Sequence, residues 1–178
     1  MTEFFCDGIL SDLNDLRWQI LDAKEERWLK QKAFVNLYKS TLIVFKMNIP
    51  SWPKISTDIL VVFHKSLEIF KENLTSSKIA FRLIEIQETL LGPEAFISTK
   101  MNANDIKDLA IHFEEYHNIG RFFDVDVIDN TGKMIERKIK RKCFLCSEQA
   151  IDCMRNQRHS PEEIKEYFDE KIANYLKS

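Results

Sequence analysis

The most informative segment of the chain is Gly120-Arg121-Phe122-Phe123-Asp124-Val125-Asp126-Val127, in which acidic and apolar residues alternate. A β-strand sends successive side chains to opposite faces, so the two carboxylates fall on one face and the apolar side chains on the other. Two carboxylates about 7 Å apart on a rigid strand can share a divalent cation, typically Mg²⁺ with substrate phosphates completing its shell. Gly120 allows a close backbone approach, and the Arg121 guanidinium can donate two hydrogen bonds to a phosphate group. The alternative is a surface strand with a polar face.

Composition places the chain among ordinary globular proteins. Its 178 residues suffice for one domain with a core, and 44% are hydrophobic and 30% charged. The net charge of -2 gives no indication of nucleic-acid binding. No apolar run approaches the roughly 20 residues that span a membrane. The N-terminus lacks the features of a signal peptide, so we expect a cytoplasmic protein whose cysteines are thiols or metal ligands.

Apolar periodicity predicts helices, and β-branched or alternating runs predict strands. The predicted helices are 9–30, one capped by Ser56 or Thr57, 104–116, and one that begins with the capping box Ser160-Pro161-Glu162-Glu163. The predicted strands are 41–47, 79–90, 94–99, the Asp124/Asp126 strand, and a return strand from Met134 to Ile139 after the turn at 129–132. This order favours an α+β fold, with one mainly antiparallel sheet flanked by helices in a single domain over 1–178.

Each predicted helix has an apolar stripe that would face the core. The stripes are Ile9, Leu13, Leu16 and Ile20; Ile59, Phe63, Leu67, Phe70 and Leu74; Ile106, Leu109, Ala110 and Phe113; and Ile164, Phe168, Ile172 and Tyr175.

Four soft ligand residues follow in the pattern Cys143-x2-Cys146-x6-Cys153-x5-His159. A Cys-x2-Cys pair is a common zinc half-site, and Cys3His is a recognised structural zinc set. The alternative is that Cys146 and Cys153 are small buried residues of a short helix. Segment 143–159 is therefore a candidate zinc segment ahead of the last helix, whereas Cys6 stands apart and is expected to pack.

Several segments together resemble one family. They are Gly92-Pro93-Glu94; Glu114-x2-His117-x2-Gly120 continuing to Val127; and Cys143-Phe144-Leu145-Cys146 with Ala150, Cys153, Arg155 and His159-Ser160. From about residue 20 to 160 the chain is similar to the apo-citrate lyase phosphoribosyl-dephospho-CoA transferases, the holo-acyl-carrier-protein synthases of citrate lyase. It differs from the family pattern at Pro50-Ser51-Trp52-Pro53-Lys54, where Pro-Gly-Pro-x-Lys is usual, at Lys24 in place of arginine, and at Asn118 in place of proline.

The resemblance implies a transferase with a nucleotidyltransferase-like fold and nucleotidyltransferase-type chemistry. Its donor would be 2'-(5''-triphosphoribosyl)-3'-dephospho-CoA, and its acceptor a serine of the acyl carrier subunit of citrate lyase. The phosphoribosyl-dephospho-CoA group would be transferred and diphosphate released. Such chemistry usually depends on a carboxylate pair with Mg²⁺ or Mn²⁺.

This interpretation gives the candidate site residues their expected roles. Asp124 and Asp126 would hold the metal, Arg121 would stabilise phosphate charge, and Glu94 is a candidate third carboxylate or else only a turn residue. His117 is either the base for the serine or a packing residue. Further phosphate-binding candidates are Lys54, Arg155 and Arg158.

A basic run, Arg137-Lys138-Ile139-Lys140-Arg141-Lys142, follows the carboxylate strand. It is either a solvated face or a docking patch for an acidic carrier protein. Two other functions remain open at this point: a carrier-binding module without catalysis, for which the altered loop at 48–54 speaks, and a different metal-dependent nucleotidyltransferase.

Overall fold

The computed structural model describes residues 4–177, with side chains from Asp15 onward. Within this range the helices are α1 (Phe4–Tyr38), α2 (Thr57–Ser76), α3 (Ala103–Tyr116), α4 (Ala150–Arg155) and α5 (Pro161–Lys177). The strands are β1 (Thr41–Met47), β2 (Phe81–Thr89), β3 (Gly92–Thr99) and β4 (Phe123–Ile128), and a 3₁₀ turn at Gly120–Phe122 leads into β4. The predicted α+β class is confirmed, with a Cys/His segment ahead of the last helix.

The strands form one sheet in the order β2-β3-β1-β4 with every neighbouring pair antiparallel. The central strand β1 places Lys46 opposite Glu94 of β3 on one side and opposite Asp124 of β4 on the other. One row of charged side chains therefore crosses the sheet, and β4, which carries the carboxylate pair, is an edge strand.

One face of the sheet forms the main core with α2, α3 and α5. Phe45 of β1 lies at its centre, with ring centroids 4.9 Å from Phe123, 5.1 Å from Phe70, 5.5 Å from Phe113 and 5.7 Å from Phe63. The predicted stripe of α2 is buried at all five positions. In α3 and α5 the stripes are buried except for Leu109 and Ile164, which are half-buried.

The other face is divided into an apolar half and a polar half. Val44 and Phe96 belong to a smaller core cluster covered by Phe34 and Val35 near the end of α1. The other half of this face carries the row of charged side chains that contains Glu94, Lys46 and Asp124. Since α1 covers β2 and β3 through contacts described below, the polar surface beside β4 is left for a site.

Two predicted helix caps are present. The Ser56 hydroxyl accepts a hydrogen bond from the Ile59 backbone N–H at 3.3 Å. The capping box of α5 is reciprocal, because Glu163 N–H donates to the Ser160 hydroxyl at 3.1 Å and Ser160 N–H donates to the Glu163 carboxylate at 2.8 Å. Each cap satisfies donors that the first turn of a helix leaves free.

The predicted return strand from Met134 to Ile139 is wrong. Only an isolated bridge joins Met134 to Ile128, and the chain then leaves the sheet. The reason is that α3 already satisfies the outer edge of β4: Val125 N–H donates to Glu114 at 2.7 Å, and the Lys107 ammonium donates to the Val125 carbonyl at 2.9 Å. A further strand has no free backbone to pair with at that residue.

Gly120 is required by a close approach between two backbones. A Cβ at this position would lie 2.3 Å from the Phe113 carbonyl oxygen and 2.9 Å from that of Glu114. Any larger residue would push the 3₁₀ turn off the end of α3 and displace β4, which begins three residues later.

Helix α1 extends beyond the predicted 9–30 at both ends. Leu16 and Ile20 are half-buried. The predicted inward positions Ile9 and Leu13, and the side chain of Cys6, lie outside the side chains that the structure describes. In the described part of the chain, none of the helices is both long enough and apolar enough to cross a membrane.

Candidate active site and metal cluster

Asp124 and Asp126 project from the same face of β4, as their spacing predicts, and converge on one cation. The Lys46 ammonium lies 2.9 Å from Asp124 Oδ2 and is also hydrogen-bonded to Asp126 Oδ2. The Lys46 side chain is 16% exposed, so this contact is largely shielded from bulk water. One oxygen atom of each carboxylate therefore contacts the same ammonium group above the sheet.

A second cation, Arg141, balances the remaining charge. Its Nη2 atom lies 2.9 Å from Asp124 Oδ1 and 2.5 Å from Glu114 Oε1. Burial by itself would raise the pKa of Asp124, but the positive charges of Lys46 and Arg141 outweigh burial and lower that pKa below its ordinary value. Burial likewise opposes ionisation of Lys46, and the two aspartates raise its pKa despite it. Both shifts favour the charged forms, a carboxylate at Asp124 and an ammonium group at Lys46.

Glu114 connects this charge cluster to the backbone of β4. Its carboxylate is nearly inaccessible to solvent, accepts the Val125 N–H, and contacts both Arg141 and, at 3.7 Å, Arg137. Burial raises the pKa of Glu114, whereas Arg141 and the Val125 hydrogen bond act in the opposite direction. Glu114 thus fixes the strand that carries the aspartates and the arginine that neutralises one of them.

The convergence of two carboxylates on a single cation is a donor arrangement that Mg²⁺ or Mn²⁺ can use. Hard divalent cations take carboxylate oxygens, and Mg²⁺ commonly uses one or two of them plus substrate phosphates. The ammonium group of Lys46 marks the position where these oxygens meet. The residues present therefore fit the implied metal.

Glu94 lies inside β3 and not in a turn. It is completely buried, with Oε2 2.5 Å from Arg27 Nε in an ion pair and Oε1 accepting a 2.6 Å hydrogen bond from Gln87. Arg27 belongs to α1, and one turn later Lys30 contacts Glu85 at 2.7 Å. These contacts clamp α1 over β2 and β3, so the described partners of Glu94 are structural groups.

His117 lies on the opposite side of the sheet from the carboxylate pair. Its ring stacks on Phe113 at 4.6 Å, stands edge-on to Phe123 at 6.3 Å, and its Nε2 lies 3.4 Å from the Tyr175 hydroxyl. Burial lowers the pKa of His117 below its ordinary value. Since Phe123 and Asp124 are successive residues of a strand, this environment favours the packing alternative for His117.

Arg121 and Lys54 lie at the same end of the sheet as the carboxylates but contact backbone carbonyls. Arg121 Nη2 donates to the Cys143 carbonyl at 3.2 Å, and Lys54 Nζ donates to the Ile49 carbonyl at 2.6 Å. Burial lowers the pKa of Arg121, as do its neighbours Arg141 and Arg137. Burial lowers the pKa of Lys54, and Lys24 adds to the effect. This end of the sheet therefore carries two further cationic side chains.

The two other phosphate candidates are brought to the Cys/His segment. Arg155 is exposed at the end of α4, and Arg158 Nη1 lies 3.6 Å from Glu148 Oε1. The described partner of Arg158, Glu148, belongs to the Cys/His segment and not to the sheet face.

The four residues Cys143, Cys146, Cys153 and His159 come together as a metal site requires. One ligand atom from each lies within 4.8 Å of the others. Cys146 Sγ is 3.4 Å from both Cys153 Sγ and His159 Nε2. A backbone hydrogen bond from Glu148 and a contact with His159 lower the pKa of Cys146 to about 6. The group can hold a metal ion.

Several residues of the site carry no sequence motif and were missed. Lys46 lies within β1 and Lys107 reaches the sheet from α3, and only the presence of a lysine inside the otherwise apolar run of β1 gave a local signal. Arg141 was counted as part of a basic run, although its side chain turns inward.

Comparisons with known proteins show which family the chain resembles. A sequence model described as apo-citrate lyase phosphoribosyl-dephospho-CoA transferase matches residues 16–175. The chain is 31% identical over 182 residues to a probable apo-citrate lyase phosphoribosyl-dephospho-CoA transferase of Streptococcus pyogenes serotype M5 (strain Manfredo), covering 98% of this chain and 92% of that protein. It is 29% identical over 164 residues to a protein of the same description from Vibrio cholerae serotype O1 (strain M66-2), covering 88% and 91%.

A longer relative is Protein CitXG of Leuconostoc mesenteroides subsp. cremoris, 28% identical over 170 residues, which cover 90% of this chain and 35% of that protein. The family match spans nearly the whole described fold, including the carboxylate strand and the Cys/His segment. The chain belongs to the apo-citrate lyase phosphoribosyl-dephospho-CoA transferase family.

Proposed function

We propose that this chain transfers the phosphoribosyl-dephospho-CoA group from 2'-(5''-triphosphoribosyl)-3'-dephospho-CoA to a serine of the acyl carrier subunit of citrate lyase. The proposal joins family membership to one observation, the convergence of Asp124 and Asp126 on a single cation position beside Arg141. On a surface strand with only a polar face, nothing requires both carboxylates to contact the same ammonium group, as Asp124 and Asp126 do at Lys46.

In the proposed reaction the serine Oγ attacks the α-phosphorus of the donor. The Oγ–P bond forms, the bond from that phosphorus to the diphosphate oxygen breaks, and the serine proton passes to solvent water. Asp124 and Asp126 would hold Mg²⁺ or Mn²⁺, which when bound neutralises phosphate charge and orients the leaving diphosphate. Arg121 and Lys54 would add positive charge at this end of the sheet. His117 receives no role here, because it packs on the other face.

The carrier would approach over the segment that follows β4. Arg137 and Arg141 turn inward to Glu114, Glu115 and Asp124, whereas the intervening lysines Lys138, Lys140 and Lys142 are exposed. The two arginines therefore anchor the segment next to the carboxylates, and the lysines form a basic surface that an acidic carrier would complement.

Incubation of the purified protein with apo-carrier, the triphosphoribosyl donor and Mg²⁺ tests the function directly. The intact mass of the carrier should increase by the prosthetic group, and diphosphate should appear in equal amount. A carrier whose acceptor serine is replaced by alanine is the control and should keep its mass. An unmodified wild-type carrier under these conditions would instead support a binding module without catalysis.

Substitution of the carboxylate pair should abolish most turnover while preserving the fold. Asp124→Asn and Asp126→Asn remove ligand charge at nearly constant shape, so we expect each to slow transfer by about a hundredfold or more. The double variant should be little worse than either single one, since both disable one ion. Asp108→Asn, which alters an exposed carboxylate on α3, is the matched control. Near-normal turnover per folded molecule in either site variant contradicts the assignment.

We also propose that the Cys/His cluster holds a structural zinc ion. The three thiolates and one imidazole match a common zinc ligand set, and the cluster joins a segment with little regular structure to α4 and α5. Protein purified without chelator should contain about one zinc per chain. Cys146→Ser should lower the melting temperature and zinc content, whereas Cys6→Ser should leave the zinc content unchanged. Full-length protein that is folded and free of transition metal would refute the proposal.

Charge reversal at Lys140 and Lys142 should weaken carrier binding and raise the apparent KM for the carrier. The effect should diminish at high salt, because exposed charges are screened beyond about 8 Å at physiological ionic strength. Charge reversal at Lys39 and Lys100, which are exposed at the far end of the sheet, is the matched control and should leave carrier binding unchanged. Unchanged binding and salt dependence in the Lys140/Lys142 variant would show that the lysines are only a solvated surface.

A further inference from the structure

Lys46 occupies the point where the two carboxylates meet, and its position is set by the fold. The antiparallel register places Lys46 directly opposite Asp124 and places Val44, two residues earlier on the same face, opposite Asp126. The ammonium group bonds to Asp124 and Asp126. The other carboxylate in the row, Glu94, is paired with Arg27 and Gln87. The register thus directs Lys46 toward the aspartates.

A divalent cation and the Lys46 ammonium cannot use these oxygens together at the same point. A bound Mg²⁺ lies about 2.1 Å from its ligand oxygens, which is inside the 2.9 Å contact between Lys46 and Asp124. Two cations at such a separation repel each other strongly in a partly buried site. Metal binding by Asp124 and Asp126 therefore requires the ammonium group to move.

A lysine side chain can make this movement, because its four-carbon stem is flexible and its ammonium group donates in three directions. Lys46 retains a partly exposed side chain, so it can move toward solvent above the sheet. Phosphate oxygens that complete the shell of a metal held by the aspartates would lie on that same side. Because Glu94, the carboxylate opposite Lys46 in β3, is already paired with Arg27, these phosphate oxygens would be the anions left for the displaced ammonium group.

We propose that Lys46 is a phosphate-binding residue that exchanges places with the metal: it neutralises the aspartates before the metal binds and contacts the donor triphosphate afterwards. This inference rests on the proposed metal role of Asp124 and Asp126. No proton is transferred in the exchange, because the ammonium group only changes its hydrogen-bond acceptors. Lys46 and the metal compete for the carboxylates but cooperate in binding triphosphate.

Titrations with Mn²⁺ alone and with Mn²⁺ plus inorganic triphosphate test both halves of the proposal without turnover. Lys46→Met should bind Mn²⁺ at least about fivefold more tightly than wild type, because a competing charge is gone. The same variant should bind triphosphate, at saturating Mn²⁺, at least about fivefold more weakly. Lys30→Met, which removes another ion-paired lysine on this face, should change neither affinity. Unchanged or weaker Mn²⁺ binding, or unchanged triphosphate binding, in Lys46→Met overturns the inference.

Two further measurements separate this inference from the proposed function. If Asp124→Asn and Asp126→Asn leave Mn²⁺ binding intact, the metal site itself is wrong and the role of Lys46 falls with it. If they weaken Mn²⁺ binding and Lys46→Met behaves as wild type, only the role of Lys46 is wrong.

Should Lys46→Met not fold, the Nζ resonance of Lys46 in wild-type protein, identified by its loss in Lys46→Arg, should shift on addition of Mg²⁺. A resonance unmoved at saturating Mg²⁺ overturns the exchange.

Discussion

The candidate site depends on the contacts that the buried carboxylate of Glu114 makes with Val125 and Arg141. It accepts the Val125 N–H of an edge strand that would otherwise present unpaired backbone groups, and it holds Arg141 against Asp124. Lys107 completes the arrangement by donating to the Val125 carbonyl. Breaking one member of a buried ionic network leaves the others without compensation, which typically costs about 3–5 kcal/mol. Helix α3 therefore occupies the outer edge of β4 at Val125, which prevents a further strand from pairing there, and it fixes the position of the two aspartates.

Charge on the polar face is arranged in two separate sets. Near β2 and β3, Glu94 and Glu85 are bound by cations from α1, and this set attaches the helix to the sheet. Near β4, the aspartates are bound by Lys46 and Arg141, which come from the sheet itself and from the segment after it. The helix attachment and the candidate site thus use the same types of residue on one surface, and the central position of β1 lies between them.

Local patterns in the sequence were sufficient for much of this structure. The alternation around Asp124 and Asp126 identified the two faces of β4, and the stripe of α2 and the capping box of α5 followed from spacings of three and four residues. The return strand failed because its partner edge is satisfied by side chains from α3, which no local pattern reveals. Lys46 was missed for a related reason: its position opposite Asp124 depends on a register between strands that are distant in the chain.

The strand order also has a consequence for how the protein is made. β1 emerges from the ribosome early, yet its two edges are completed by β3 and then by β4, after two helices and a hairpin have been synthesised. Its residues Leu42 to Phe45 are apolar and fully enclosed in the finished fold. Pairings between distant segments form slowly, and an apolar strand with open edges is prone to join another chain. During translation, α2 can shield one side of β1 as soon as it forms. The order of elements along the chain therefore covers β1 before the strands that pair with it have been synthesised.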